Sequence, residues 1–112
     1  MAAGDRTETR VFGPSEVSTA ASGGTLGTVP ANRVWVTKQI IITNTNGVDA
    51  WATISIGDVA TASNAVFYRL PIAGNDTLVF DTALVLTATE TVQANADRSG
   101  VNVTAVGWVK EV

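Results

Sequence analysis

Apolar and β-branched residues alternate with polar residues along most of the chain after residue 24, and Gly, Pro, Asn and Asp interrupt the alternation at short intervals. A period of two is typical of half-buried strands, and such close turn spacing is typical of sandwiches and barrels. No segment keeps a helical period. The segments predicted to be strands are Thr25–Val29, Arg33–Thr43, Ala50–Ile56, Ala65–Leu70, Thr77–Phe80, Leu84–Leu86, Glu90–Asn95 and Val101–Lys110. The pattern therefore predicts an all-β fold, an antiparallel, jelly-roll-like β-sandwich of about eight short strands.

The segment Arg33–Thr43 is the longest predicted strand, and it follows Pro30, which fixes the backbone where the run begins. Strict alternation places one set of its side chains in the core: Val34, Val36, Ile40 and Ile42. The other set is expected on the outer face: Trp35, Thr37, Gln39, Ile41 and Thr43. The last predicted strand alternates in the same way, with Val101, Val103, Ala105 and Val109 against Asn102, Thr104, Val106 and Trp108.

The turn residues 44–48 suggest that Ala50–Ile56 folds back on the long strand as a hairpin. Of the two register choices, we prefer the one that places Ile40 opposite Ile54 and Ile42 opposite Ala52, because it keeps the core face apolar. That register brings three large side chains together on the outer face: Trp35, Ile41 and Trp51. This outer face is the predicted partner interface.

Residues 1–24 differ in composition from residues 25–112, since they are rich in Ala, Gly, Ser and Thr, and Val11 and Phe12 are their only compact apolar pair. Alone, such a segment cannot offset the roughly 1 to 2 kcal/mol per residue that ordering its backbone costs. We therefore predict an extended N-terminal arm, residues 1–24, beside a sandwich domain, residues 25–112. The arm packs on its own sandwich or, through Val11 and Phe12, on neighbouring subunits.

Composition restricts the classes of function. Hydrophobic residues make up 46% of the chain, which predicts a folded domain, and the net charge is −3 without a run of cationic residues. Phosphate binding needs a cationic patch, so a nucleic-acid partner is not expected. No apolar stretch reaches membrane-spanning length, so no membrane partner is expected either. The chain has no Cys and no His, which removes thiolate sites, Cys nucleophiles and the commonest general base and metal ligand.

The carboxylates fall mostly in predicted turns, where Asp commonly binds the local backbone. A hydrolase would need two of them paired at one end of the sandwich, and the candidates are Asp49, Asp58, Asp76 and Asp97. A calcium site from loop oxygens would use Asn44, Asn46 and Asp49, although the same residues form an adequate turn. The sequence therefore predicts no enzymatic activity, no metal and no cofactor.

The aromatic residues Trp35, Trp51, Tyr68 and Trp108 have two interpretations. They are typical of a platform that stacks on sugars, or of a surface that packs on another layer or subunit, because large exposed apolar patches are uncommon on monomers. We favour the subunit contact.

Several segments resemble small structural proteins of tailed-phage virions: "TVPANRVWVTKQIIITNTNG", "SNAVFYRLPIAGNDTLVF" and "LVLTATETVQANA". The parts that match the family layout are Thr28–Gly47, Asn64–Phe80 and Leu84–Ala94. The resemblance rests on turn motifs and apolar alternation and departs at Thr89, where the family usually has Gly. It implies a jelly-roll-like sandwich displayed on a phage particle, as a decoration, minor capsid or fibre protein.

The leading hypothesis is a non-enzymatic protein of the virion, assembled in the host cytoplasm, that cements the capsid by binding the major capsid protein or other virion proteins. A homo-oligomer is expected, and a trimer by analogy with other sandwiches on capsids and fibres. The alternative is a fibre or tail-tip module that recognises a host-surface glycan through aromatic and loop Asp or Asn side chains.

Overall fold

A computed structural model describes residues 6–57 and 62–111, and in these ranges the chain forms nine β-strands and one turn of 3-10 helix, Ala62–Asn64. The strands are β1 (Arg6–Glu16), β2 (Gly24–Thr28), β3 (Arg33–Asn44), β4 (Ala50–Ile56), β5 (Ala65–Ile72), β6 (Thr77–Phe80), β7 (Val85–Leu86), β8 (Thr91–Ala96) and β9 (Val101–Glu111). β2 to β9 correspond to the eight predicted strands, and β1 is additional. None of the helical structure in these ranges has the length and apolar character to cross a membrane.

Two antiparallel sheets make up the fold. Sheet A has the order β1-β9-β3-β6, with β7 also paired to β3, and sheet B has the order β2-β8-β4-β5. The chain passes from one sheet to the other after β1, β2, β3, β5, β7 and β8. Without β7, this is the order of a jelly roll, with two four-stranded sheets that exchange consecutive strands. The predicted all-β, jelly-roll-like sandwich is confirmed.

The core lies between the two sheets and is built mainly from aliphatic side chains. Its largest fully buried members are Ile40, Ile42, Ile54, Ile72, Leu86, Val17, Val29, Val101 and Val103. Alternation along β9 is confirmed, because Val101, Val103 and Ala105 are completely buried and Trp108 lies on the other face. Apolar burial of this kind contributes about 25 cal/mol per Å², so the core is the main source of stability.

A β-bulge at Lys38 changes the phase of β3. Thr37 pairs with Gly107 and Gln39 pairs with Val106, so Lys38 is an extra residue in the ladder. Before the bulge the core side chain is Trp35, at 8% exposure, and after it the core side chain is Ile40, at 1%. One added residue moves every later side chain to the opposite face of the sheet.

The strict alternation predicted for β3 is therefore right after the bulge and wrong before it. Val34 and Val36 are half-buried on the outer face, whereas Trp35 and Thr37 are buried in the interior. Val34, Trp35 and Val36 are all apolar, so the local sequence fits either phase. The tertiary contacts choose the phase that buries the largest of the three.

The predicted hairpin of β3 and β4 is wrong. The two strands lie in different sheets, so Ile40 and Ile54 face the core from opposite sides and are not paired. The buried side chain of Asn44 fixes the crossing between the sheets, since its Nδ2 atom donates to the carbonyl oxygens of Val48 at 2.9 Å and Ile72 at 3.0 Å. An apolar face on each strand suits a facing pair of sheets as well as a hairpin.

The segment Arg6–Glu16 is an edge strand of the sandwich and does not form a separate arm. It pairs with β9 from Arg6 opposite Lys110 to Glu16 opposite Asn102, with irregularities on either side of Phe12. The N-terminal segment was expected to pack either on its own sandwich or on neighbouring subunits, and in the structure Arg6–Glu16 packs on its own sandwich. The predicted boundary between residues 24 and 25 therefore divides the described domain. Residues 1–5 of the predicted arm lie outside the described residues.

Candidate functional site

Three of the five residues predicted to contact a partner belong to the core. Val11 and Phe12 are each 9% exposed, and Trp35 is 8% exposed. The rings of Phe12 and Trp35 lie 6.3 Å apart and are tilted by 36°, a favourable aromatic arrangement. Their assignment to a partner interface is wrong, because β1 and the bulged β3 turn these side chains toward the interior of the sandwich.

The other two predicted contact residues, Ile41 and Trp51, are half-buried. They do not share a surface. Ile41 lies on the outer face of sheet A, and Trp51 lies on the outer face of sheet B. The predicted surface of Trp35, Ile41 and Trp51 is therefore replaced by two separate outer faces, and each of these faces carries a cleft.

The outer face of sheet A carries an apolar surface, which we call the sheet A face. Cross-strand pairing places Val85 beside Val36, and Val36 beside Trp108. Two rows further along β3, beyond Gln39, Val79 is paired with Ile41. Val85 is 62% exposed and Val79 is 54% exposed, in the edge strands β7 and β6, and both fractions are high for an aliphatic side chain. The sheet A face consists of Val36, Ile41, Val79, Val85, Val106 and Trp108.

A cleft of about 720 Å³ opens on the sheet A face beside the bulge. Polar groups from β1, β3 and the segment after β6 contribute to its lining. Trp108 Nε1 donates to Glu8 Oε1 at 3.2 Å, and Lys38 Nζ lies 3.8 Å from the same oxygen and 5.9 Å from the Trp108 ring centre. Gln39 donates to the Asp81 carboxylate at 3.0 Å. The Lys38 and Glu8 side chains are 55% and 72% exposed, so their ion pair contributes little to stability.

A second cleft, of about 410 Å³, lies on the outer face of sheet B, and we call it the sheet B cleft. It is formed where β4, β5 and β8 meet, next to the connection from β1 to β2. Two aromatic side chains line it, Trp51 and Tyr68, and Tyr68 is 55% exposed. Its polar lining includes Thr53, Arg69, Asn95 and Asp97. The sheet B cleft is therefore partly aromatic and partly polar, unlike the sheet A face.

A bulge in β5 gives the sheet B cleft its geometry. Ala52 pairs with Leu70 and Ile54 pairs with Phe67, so Thr53 faces two residues of β5. One of them, Arg69, has a φ of 46°, in the left-handed region that side chains other than Gly seldom occupy. Its backbone N–H donates to Oγ1 of Thr53 at 2.9 Å, and Thr53 is only 2% exposed. A buried hydroxyl thus holds the strained residue in place.

The Arg69 guanidinium lies over both aromatic rings of the sheet B cleft. Its central carbon is 5.2 Å from the Trp51 ring centre and 5.5 Å from the Tyr68 ring centre, within the range of cation–π attraction. The Asp97 carboxylate closes one end, since Oδ1 accepts the Trp51 backbone N–H at 2.9 Å and Oδ2 lies 3.8 Å from Arg98 Nε. The Asn95 amide donates to the Ala21 carbonyl at 3.4 Å.

The loop proposed for calcium is held together by its own hydrogen bonds. Asn44 Oδ1 accepts both the backbone N–H and the side-chain amide of Asn46, each at 3.0 Å, and Asp49 Oδ1 accepts the Gly74 N–H at 3.1 Å. Asp76 binds the Thr77 N–H at 2.9 Å. Asp58 lies outside the described residues. Within the described ranges, no three Asp or Glu side chains are grouped so that they could hold a metal ion. These contacts give the loop oxygens structural partners.

Sequence reasoning identified part of each cleft. It placed Trp51 and Trp108 outside the core, and the alternation of β9 was sufficient for Trp108. It missed Val79 and Val85, which are exposed because of the pairing of β6 and β7 with β3. It also missed Thr53 and the strained Arg69, since nothing in the sequence indicates the β5 bulge.

Comparison of the chain with protein-family models, with curated proteins and with solved structures gives no match. The fold and the two clefts define the class of protein. It is a jelly-roll β-sandwich with an apolar outer face on one sheet and a cleft lined by aromatic and polar side chains on the other.

Proposed function

We propose that this protein is a non-enzymatic structural component of a tailed-phage virion, and that it decorates or cements the capsid by docking its sheet A face on a neighbouring subunit. The observation that carries the proposal is the exposure of Val79 and Val85 beside Ile41 and Val36. The resemblance of the strand and turn motifs to small virion proteins supports the phage setting.

The composition of the sheet A face suits a protein partner. Its aliphatic side chains lie beside Trp108, and the polar groups of Glu8, Lys38 and Asp81 line the cleft among them. Interfaces between proteins commonly have an apolar centre, a polar rim and an aromatic anchor. Contiguous apolar patches on a soluble domain frequently mark such contacts. The partner proposed is the major capsid protein or another virion subunit, with copies of this chain arranged as a homo-oligomer.

Thermodynamic linkage between binding and assembly explains how such a protein would cement the capsid. A protein that binds the assembled shell more tightly than its separated subunits stabilises the assembly by the difference in binding free energy. The strands of the sheet A face are already hydrogen-bonded within the sandwich, so docking does not require their backbone to be ordered. No catalytic step is required.

A charged substitution in the sheet A face tests the proposal. Purified wild-type protein, Val85→Asp and Val79→Asp would each be added to phage particles depleted of this protein, and bound protein would be measured after sedimentation. We expect each Asp variant to lose about ten-fold or more in affinity, because a carboxylate would be buried without a partner. Val48→Asp is the matched control, since Val48 is 53% exposed and lies in the loop between β3 and β4.

Mass spectrometry of gradient-purified particles complements the binding test. The protein should be present in a fixed ratio to the major capsid protein. Absence from purified particles would overturn the virion assignment. Normal attachment of both Asp variants would overturn the role of the sheet A face.

A further inference from the structure

We infer that the sheet B cleft is a binding site for a neutral saccharide. This inference goes beyond the proposed docking function, because it concerns the opposite sheet and a different ligand. It rests on the aromatic pair, the polar lining and the strained residue that joins them.

Trp51 and Tyr68 provide the stacking surface. A pyranose ring has an apolar face of C–H groups, and the faces of Trp and Tyr rings bury such surface while their polar atoms stay near water. Tyr68 is 55% exposed and Trp51 is half-buried, so both rings combine accessibility with fixed placement. Trp51 is also held by its own backbone N–H, which donates to Asp97.

The remaining lining offers the hydrogen bonds that a ring of hydroxyl groups needs. Arg69 supplies only donors, Asp97 supplies only acceptors, and Asn95 supplies both. Among the residues that the structure describes, no carboxylate forms an ion pair with Arg69. Its guanidinium therefore keeps donors for a ligand while its plane lies near the two rings.

Backbone strain indicates that this arrangement is specifically built. Arg69 has a φ of 46° within a bulge, and the Thr53 hydroxyl, 2% exposed, holds its backbone N–H. Side chains held in this region cost free energy and are concentrated at binding and catalytic sites. Bulges commonly re-aim a side chain next to such a site. Here the bulge places two consecutive side chains, Tyr68 and Arg69, beside Trp51.

The opposite charges of the side chains that line the sheet B cleft favour a neutral ligand. Among the described residues that line the cleft, Arg69 is the cation and Asp97 is the carboxylate, and the second oxygen of Asp97 lies 3.8 Å from Arg98. A phosphate, sulfate or acidic sugar attracted by Arg69 would meet Asp97 at the end of the cleft, in a chain with a net charge of −3. A neutral sugar uses the donor and the acceptor together.

Screening the full-length protein on an array of neutral and acidic oligosaccharides, followed by titration of the bound neutral sugar, tests the inference. We expect neutral oligosaccharides to bind, and Trp51→Ala and Tyr68→Ala each to lower the affinity by about ten-fold or more. Arg69→Gly is a third variant. It should also weaken binding while the protein stays folded, because Gly tolerates the backbone conformation at this position. Circular dichroism would check the fold of each variant.

Trp108→Ala is the matched control, since this Trp lies on the other sheet, and it should bind the sugar as the wild type does. Val85→Asp should also keep sugar binding, which separates this site from the sheet A face. Three results would overturn the inference. They are no binding above background, binding of acidic oligosaccharides alone, and unchanged binding by folded Tyr68→Ala and Arg69→Gly.

Discussion

The backbone of Gly107 in β9 lies against that of Thr37 in β3, and a Cβ atom added at Gly107 would be 2.7 Å from the Cα atom of Thr37. It would also overlap the carbonyl oxygen of Val36. The contact occurs beside the bulge at Lys38, so close approach of the two strands and the change of phase in β3 are parts of one feature. The absence of a side chain at Gly107 makes room for it.

Gly107→Ala is therefore expected to destabilise the domain. The added methyl group must push β9 and β3 apart, and overpacking of this kind costs about 1 to 3 kcal/mol. The free energy of unfolding would be measured by urea denaturation. Gly47→Ala is the control, because the nearest surrounding atom, Nδ2 of Asn75, would be 4.0 Å from the new Cβ atom. Equal stability of the two variants would contradict the close contact.

Trp35→Ala should destabilise the protein much more than Trp108→Ala. Trp35 is 8% exposed and packs on Phe12, and removing a buried Trp side chain costs about 3 to 5 kcal/mol. Trp108 is half-buried on the outer face of sheet A, so its loss leaves a smaller cavity. Thermal and urea denaturation of both variants would compare them. Similar losses would mean that Trp35 is not a core residue.

Thr89→Gly is expected to stabilise the protein. Thr89 has a φ of 67°, which is especially unfavourable for a β-branched residue, and its N–H donates to the Val29 carbonyl at 2.9 Å, so the turn is fixed. Removing the strain of the left-handed conformation should raise the free energy of unfolding by about 1 to 2 kcal/mol. The greater conformational entropy that Gly loses on folding should lower it again by about half of that amount. The net gain of about 0.5 to 1 kcal/mol would be measured from the urea midpoint.

Thr77→Gly provides the control for this prediction. Thr77 lies in β6 and is not among the described residues with positive φ, so Gly brings no relief there and should cost about 0.5 to 1 kcal/mol. If both Thr variants lost stability, strain at Thr89 would not be the cause.

Local patterns predicted most strands correctly because alternation and turn residues act over a few neighbours. They missed β1, whose apolar residues are few and which is stabilised by pairing with distant β9. They also assigned β3 and β4 to one hairpin. An apolar face does not specify whether its neighbour lies beside it in a sheet or opposite it across a core.

The same limit applies to the clefts. Trp108 was placed outside the core correctly because β9 has an unambiguous alternation, whereas Trp35 was placed there wrongly because residues 34–36 are all apolar. The sheet B cleft depends on the bulge at Arg69, on its hydrogen bond to Thr53 and on the approach of β8, which are contacts between residues far apart in the chain.

The sequence by itself determined the all-β class, the location of eight strands, the alternation of β9 and the lack of Cys and His chemistry. Each of these depends on composition or on neighbouring residues. Only the tertiary structure decided which strands pair, where the bulges at Lys38 and Arg69 fall, and which aromatic residues are exposed. Those outcomes depend on long-range packing, because the most stable strand register is the one that buries the largest apolar surface without steric clashes.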